Sequence, residues 1–206
     1  MCKTNVEIYD TDLSMVDNCK ALHNKYKDID VLINNAGYGL FGEFNETDLD
    51  NELSMIDLNI KSVHVLTKLY LKDMIKKDSG RILNVASTAA FLPGPLMNTY
   101  YSTKSYVFRL TVAIFEELRR IKSNVKVSVL CPGPVDTNFN NVAGVKFGVK
   151  SLSSKYVANY AISKMFNNKL VIVPGFMNRV SKVLCKVAPL RLTLKVAYNI
   201  QRKKES

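Results

Sequence analysis

The sequence predicts an α/β fold built on a doubly wound parallel sheet, with helices on both faces. Two observations predict it. Short apolar runs at Ile29–Ile33, Arg81–Val85, Lys126–Leu130 and Leu170–Val173 alternate with stretches long enough for helices. The runs close on turn formers: Asn34-Asn-Ala-Gly37, Ser87, Cys131-Pro-Gly-Pro and Pro174-Gly175. Residues 1–175 then read as one domain, and residues 176–206 as a basic helical arm.

In order along the chain, Asn5-Val-Glu-Ile-Tyr9 suits a strand, and Asp12 or Ser14 can cap the helix expected over Met15–Tyr26. Ile29-Asp-Val-Leu-Ile33 is an apolar run of the kind buried in a parallel sheet. A glycine-containing loop to Glu43 follows. One helix is expected from about Asp48, through Asn59, to Ile75, with Gly80 as its stop before the strand Arg81–Val85. After Phe91-Leu-Pro-Gly-Pro95 a helix should run from about Thr99 to Ile121, and Lys126–Leu130 is the next strand. A polar loop to about Ser153, a helix to Phe166 and the strand Leu170–Val173 complete the domain. Two basic amphipathic helices divided near Pro189 follow it. Met74 and Met97 read as core or loop filler.

Composition excludes several classes. Hydrophobic residues make up 47%, as in globular proteins, and no apolar run nears the ~18 residues of a membrane span. Met1-Cys-Lys-Thr-Asn-Val has no apolar stretch of a signal peptide. The four cysteines form no C-x-x-C pair and there are two histidines, which argues against a metal site or a disulfide framework and fits a reducing cytoplasm. Of the net charge of +11, all but one unit lies from Ser151 onward. That excess suits an anionic partner. No aromatic interleaving or motif points to nucleic acid.

The chemistry centres on Ser87 to Lys104. Tyr100 and Lys104 stand four apart on a helix and share one face. A phenol of pKa ~10 is a poor acid or base at neutral pH, and a neighbouring cation favours its charged form. A move of ~3 in pKa needs ~4 kcal/mol, within reach of an ammonium in a partly dry cleft. Ser87 could hold a carbonyl oxygen while Tyr100 gives or takes a proton, which is chemistry for carbonyl/alcohol interconversion. The same spacing recurs at Tyr160 and Lys164, but no apolar strand or serine precedes it there; that pair reads as ordinary helix positions.

Together these pieces resemble the short-chain dehydrogenase/reductases, in their compact single-domain branch with a Rossmann-like sheet. The resemblance covers Asn5 to about Val173. It rests on Asp12-Leu13, Asn34-Asn-Ala-Gly37, Asn59, Ser87, Tyr100-x-x-x-Lys104 and Pro132-Gly-Pro-Val-Asp-Thr137, in the family's order. It implies that Ser87 orients the carbonyl and Tyr100 is the acid/base. Lys104 would bind the nicotinamide ribose and depress the tyrosine, and Asn59 would hold a water in a proton relay. For NAD or NADP, it implies that Asp12 meets the adenine and that Asn34, Ala36 and Gly37 support the sheet near the cofactor. Pro132, Gly133, Val135 and Thr137 would border the nicotinamide carboxamide. The loop from Asn138 to about Ser153 would be the substrate lid, and Asn140, Val142, Phe147 and Val149 suggest a moderately apolar pocket for a small carbonyl or alcohol. No metal is implied.

One departure matters. The family's glycine-rich phosphate turn follows the first strand, and this sequence contains no such motif. The expectation is an N-terminally truncated chain lacking its first two strands and at least one βαβ unit, roughly 30 residues or more. Val31–Ile33 would then be an open apolar sheet edge, and the residues choosing NAD or NADP would be missing. Such a chain would be weak or inactive. Alternatives are a non-catalytic scaffold and, on a weaker likeness, the sugar-nucleotide epimerase relatives that share Tyr-x-x-x-Lys. The basic arm reads as a helix pair packed on the domain or on a second copy in a homo-oligomer, or as a peripheral membrane contact.

Overall fold

The structure, a computed structural model, describes residues 4–139, 143 and 151–202. Strands β1 (Val31–Asn34), β2 (Arg81–Val85), β3 (Lys126–Leu130) and β6 (Val171–Ile172) form one sheet in that spatial order, every neighbouring pair parallel. Two two-residue strands, β4 (Val135–Asp136) and β5 (Leu152–Ser153), form a small parallel ladder of their own. Strands that short leave no periodicity in the sequence, and they were not expected.

The helices are α1 (Val16–Lys25), α2 (Leu49–Ile56), α3 (Val63–Lys77), α4 (Asn98–Arg120), α5 (Ser154–Phe166), α6 (Phe176–Val187) and α7 (Leu190–Arg202). Asp48 caps α2 by accepting from the Asn51 amide at 2.9 Å, and Ser153 caps α5 by accepting from Tyr156 N at 3.3 Å. The helix expected from Asp48 to Ile75 is continuous but widens to a π-helical turn at Asp57–Ser62, with Asn59 at its buried side.

Alternate strand residues face opposite layers, as the period of two requires. Leu32, Ile82 and Val127 pack against Cys19 of α1, Leu66, Tyr70 and Met74 of α3, and Ile114 and Leu118 of α4. Leu83, Leu130 and Ile172 pack against Val157, Ala161 and Met165 of α5 on the other side. Helices thus cover both faces, three against one.

The strand expected at Asn5–Tyr9 does not form. Among the described residues that segment has no neighbouring strand to pair with, and Val6 and Ile8 stand in solvent at 82% and 87% exposure. It is tied instead to the end of α1, where Glu7 accepts from Lys25 Nζ at 2.7 Å. β1 lies at the sheet edge with β2 as its partner, and Ile33 is 44% exposed. The apolar edge expected there is present.

Candidate active site

The motif residues converge at the carboxyl ends of β1, β2 and β3. Asn34–Gly37 leaves β1, Ala86 and Ser87 leave β2, and Cys131–Pro134 leaves β3. In open parallel sheets this is where loops separate and admit a ligand. The β2 and β3 exits are fastened together: Thr88 N donates to Pro132 O at 2.8 Å, and Ala86 N to Leu130 O at 2.8 Å.

Tyr100 and Lys104 come from the first turns of α4. Leu96, in a left-handed conformation at φ 65°, turns the preceding loop into that helix. Tyr100 is buried against Met55, Met97, Ala89 and Phe139, the last ring centroid 5.4 Å away. Burial pushes its phenol up to about 12, and a hydrogen bond with Ser87 pulls the other way. Ser87 also accepts from Ala89 N at 3.1 Å, which holds its hydroxyl at the mouth of a short 3-10 turn.

Lys104 is 5% exposed, and its Nζ donates to Val85 O at 3.1 Å and lies 5.9 Å from the Tyr100 ring centroid. Burial pushes this ammonium down to about 8. The expected effect of Lys104 on the tyrosine is therefore not what the structure shows. Its charge is spent on a backbone carbonyl, and desolvation raises the phenol instead. At neutral pH Tyr100 is held in its proton-bearing form.

Asn59 is fully buried and acts as a latch. Its Nδ2 donates to Tyr38 O at 2.8 Å and to Thr103 Oγ1 at 3.1 Å, while Oδ1 accepts from Tyr38 N at 3.1 Å. The π turn aims this side chain between the β1 loop and α4. Gly37 lies against it: a Cβ there would fall 2.6 Å from Asn59 Oδ1 and 3.3 Å from Lys104 Nζ. Only glycine lets this loop close over the lysine. The side-chain bonds of Asn59 all go to protein, so a relay water would have to use another group here or share the amide oxygen.

Asn34 sits one layer deeper. It donates to Asn84 Oδ1 at 2.8 Å and to Thr67 Oγ1 at 3.1 Å, and Asn84 in turn donates to Thr111 Oγ1 at 2.9 Å. Asn34 and Asn84 are register partners on β1 and β2, so the chain crosses the sheet and ties α3 to α4 beneath the site. Asn84, Thr67, Thr103 and Thr111 were not singled out from the sequence. The available signal was one polar residue, Asn84, inside the apolar strand Arg81–Val85. Glu52 was also missed: buried on α2, it accepts from Thr99 Oγ1 at 2.8 Å, one residue before Tyr100.

Other expected residues are peripheral. Asp12 is exposed and accepts from Ser14 N at 2.9 Å, which holds its carboxyl below the usual range; it caps the turn before α1. Ala36 is exposed at the rim. Pro132 accepts from Ser87 Oγ at 3.4 Å, and Gly133 lies under the Asn178 side chain of α6. Val135 belongs to β4, and Thr137 is exposed and accepts from Phe139 N at 3.3 Å. Of the expected lid, Asn140, Val142, Phe147 and Val149 lie outside the described residues. Tyr160 and Lys164 are half-buried on α5, with the ammonium 5.5 Å from the ring centroid and none of these partners around them.

The family model for short chain dehydrogenases matches residues 2–147. An uncharacterised oxidoreductase of Staphylococcus epidermidis is 33% identical over 148 residues, covering 71% of this chain and 62% of the relative. The ketoacyl reductase HetN of Nostoc is 33% identical over 168 residues, covering 77% of this chain and 55% of that protein. The chain thus spans less than two thirds of the length of these curated relatives. Among solved structures, a short-chain dehydrogenase from Sphingobium yanoikuyae in complex with NADPH superimposes with a TM-score of 0.74 at 22% identity, covering 86% of this chain and 74% of that one. One from Burkholderia phymatum in complex with NAD gives 0.76 at 22% identity, covering 84% and 72%.

Proposed function

The chain belongs to the short-chain dehydrogenases, and on that premise we propose that its site serves carbonyl/alcohol interconversion with NAD or NADP as the redox partner. The observation that carries this reading is Lys104. A buried ammonium with, among the described residues, one acceptor, Val85 O, and no carboxylate partner costs stability, which points to a functional reason for keeping it. Gly37 closes against its Nζ, where a Cβ would fall 3.3 Å away.

The described residues fit the reactive end of such a nucleotide. Lys104 would hold its ribose, and the loop Pro132–Thr137 would border the nicotinamide. Bound, the nucleotide would supply or accept the hydride. Tyr100 would donate its phenolic proton to the carbonyl oxygen, and Ser87, its hydrogen-bond partner, would orient that oxygen. Asn59 holds Tyr38 and Thr103 in place around them.

For the pyrophosphate, none of the described elements supplies a glycine-rich turn into a helix. We therefore expect weak nucleotide binding and slow turnover from this chain. That same observation favours a second reading, a non-catalytic scaffold. Fluorescence titration with NADH and NADPH separates the two. The enzyme reading expects measurable binding that drops at least about tenfold in Lys104→Met, and ketone reduction that drops at least about 100-fold in Tyr100→Phe. Binding unaffected by Lys104→Met, or activity intact in Tyr100→Phe, would sink it.

A further inference from the structure

The two arm helices carry most of their large apolar residues on the outside. Toward the domain, α6 presents Asn178, Lys182 and Cys185, and α7 presents Thr193, Leu194, Ala197 and Gln201. Toward solvent stand Phe176, Met177, Val183 and Leu184 on α6, while Leu192, Val196 and Ile200 stack at helical spacing on α7. Met177 is 71% exposed, Leu184 58% and Leu192 55%. A helix in a globular domain turns such a stripe inward. Arg179, Val180, Val183 and Leu184 also line an open groove of about 350 Å³.

Charge decides what covers this face. Arg179, Arg191, Lys195 and Arg202 are exposed beside the stripes, and Phe176 to Arg202 contains no Asp or Glu. Among the described residues no carboxylate forms an ion pair with any of these four. A second copy docking the same face would set these charges against themselves. A strand added to β1 would lie at the far edge of the sheet from β6, which leads into α6. No described helix is long and apolar enough to cross a membrane.

We propose that α6 and α7 form a docking surface for anionic phospholipid, lying in the headgroup plane with the outward stripes in the acyl boundary and the basic side chains among the phosphates. The arm is braced on the site it adjoins: Lys182 Nζ lies 5.6 Å from the Phe91 ring centroid, and Gln201 Nε2 donates to the hydroxyl of Tyr101, the neighbour of Tyr100. Docking through this face therefore holds the Tyr100 site near the bilayer. The docking needs no nucleotide, so it stands or falls apart from the redox reading.

The test is co-sedimentation of the full 206-residue chain with phosphatidylcholine vesicles, alone or with about 30% phosphatidylglycerol. Each basic side chain near such a surface adds about fivefold to the partition. We expect at least about tenfold stronger partition onto the anionic vesicles, weakening as salt is raised. A stripe variant (Leu184→Ser, Leu192→Ser, Val196→Ser, Ile200→Ser) and a charge variant (Arg179→Gln, Arg191→Gln, Lys195→Gln) should each lose at least about tenfold, with the circular dichroism of the parent. Equal binding to neutral and anionic vesicles overturns the proposal, as does a folded stripe variant that binds like the parent. A dimer in sedimentation equilibrium that the stripe variant abolishes also overturns it, and assigns the face to a second copy.

Discussion

Replacing Lys104 by Met is expected to make the protein more stable at neutral pH while removing its hold on a nucleotide. In the unfolded chain the amine titrates near 10.5, and in the folded protein burial brings it down to about 8. The gap of about 2.5 in pKa corresponds to roughly 3 kcal/mol against the charged form. Between these two values the unfolded chain binds more protons than the folded one, so stability rises with pH across the window. Below about 8 the full penalty applies. Met has a similar volume and no charge to desolvate. It loses the bond to Val85 O, worth about 1 kcal/mol net, which leaves a gain of about 2 kcal/mol at pH 7. The gain should shrink toward zero by about pH 9.5, as the parent sheds its proton and its penalty. Urea denaturation of both proteins at the two pH values measures it. A Met variant less stable than the parent at pH 7, or an advantage unchanged at the higher pH, would refute a buried, uncompensated ammonium.

Two further substitutions probe the scaffold under the site. Asn84→Ala removes the acceptor for Asn34 and Thr67 and the donor to Thr111, leaving buried polar groups unpaired. A loss of about 3 kcal/mol is expected, seen as a fall in melting temperature of roughly 6–12 °C; a loss under about 1 kcal/mol would mean the network is not a tie between α3 and α4. Gly37→Ala puts a methyl 2.6 Å from Asn59 Oδ1 and should break the latch to Tyr38, costing about 2 kcal/mol. Hydrogen exchange at the Tyr38 amide reports this directly, and unchanged protection there would contradict the latch.

The sheet was legible because its central strands are apolar runs bounded by strong turn formers, and burial on both faces leaves them little choice of partner. The edges were harder. Asn5–Tyr9 has strand composition, yet a strand exists only where a neighbour accepts its hydrogen bonds, and a local reading carries no information about that neighbour. β4 and β5 were invisible for the opposite reason: two residues make no pattern, and their pairing follows from where Pro134 and Leu152 are brought together, 3.0 Å apart from oxygen to nitrogen. At the site, the spacing of Tyr100 and Lys104 and the position of Ser87 at a strand end were open to inspection. Asn59 was noticed as a residue, but its bonds to Tyr38 and Thr103 depend on a π turn that no spacing announces.

The sequence by itself determined the alternation of strands and helices, the family, and which side chains stand at the carboxyl end of the sheet, because these follow from local periodicity and turn chemistry. Only the tertiary structure decided the electrostatics. Tyr100 and Lys104 share a helix face, and from the sequence the lysine should have drawn the tyrosine down. Folding buries both and turns the ammonium to Val85 O. It thereby moves the phenol up and the amine down, since desolvation depends on how many atoms surround a group, and that is a property of the packed chain. The arm shows the same division. Its basic and apolar periodicity is plain in the sequence, but which side of each helix meets the domain was settled by packing, and packing left the apolar side out.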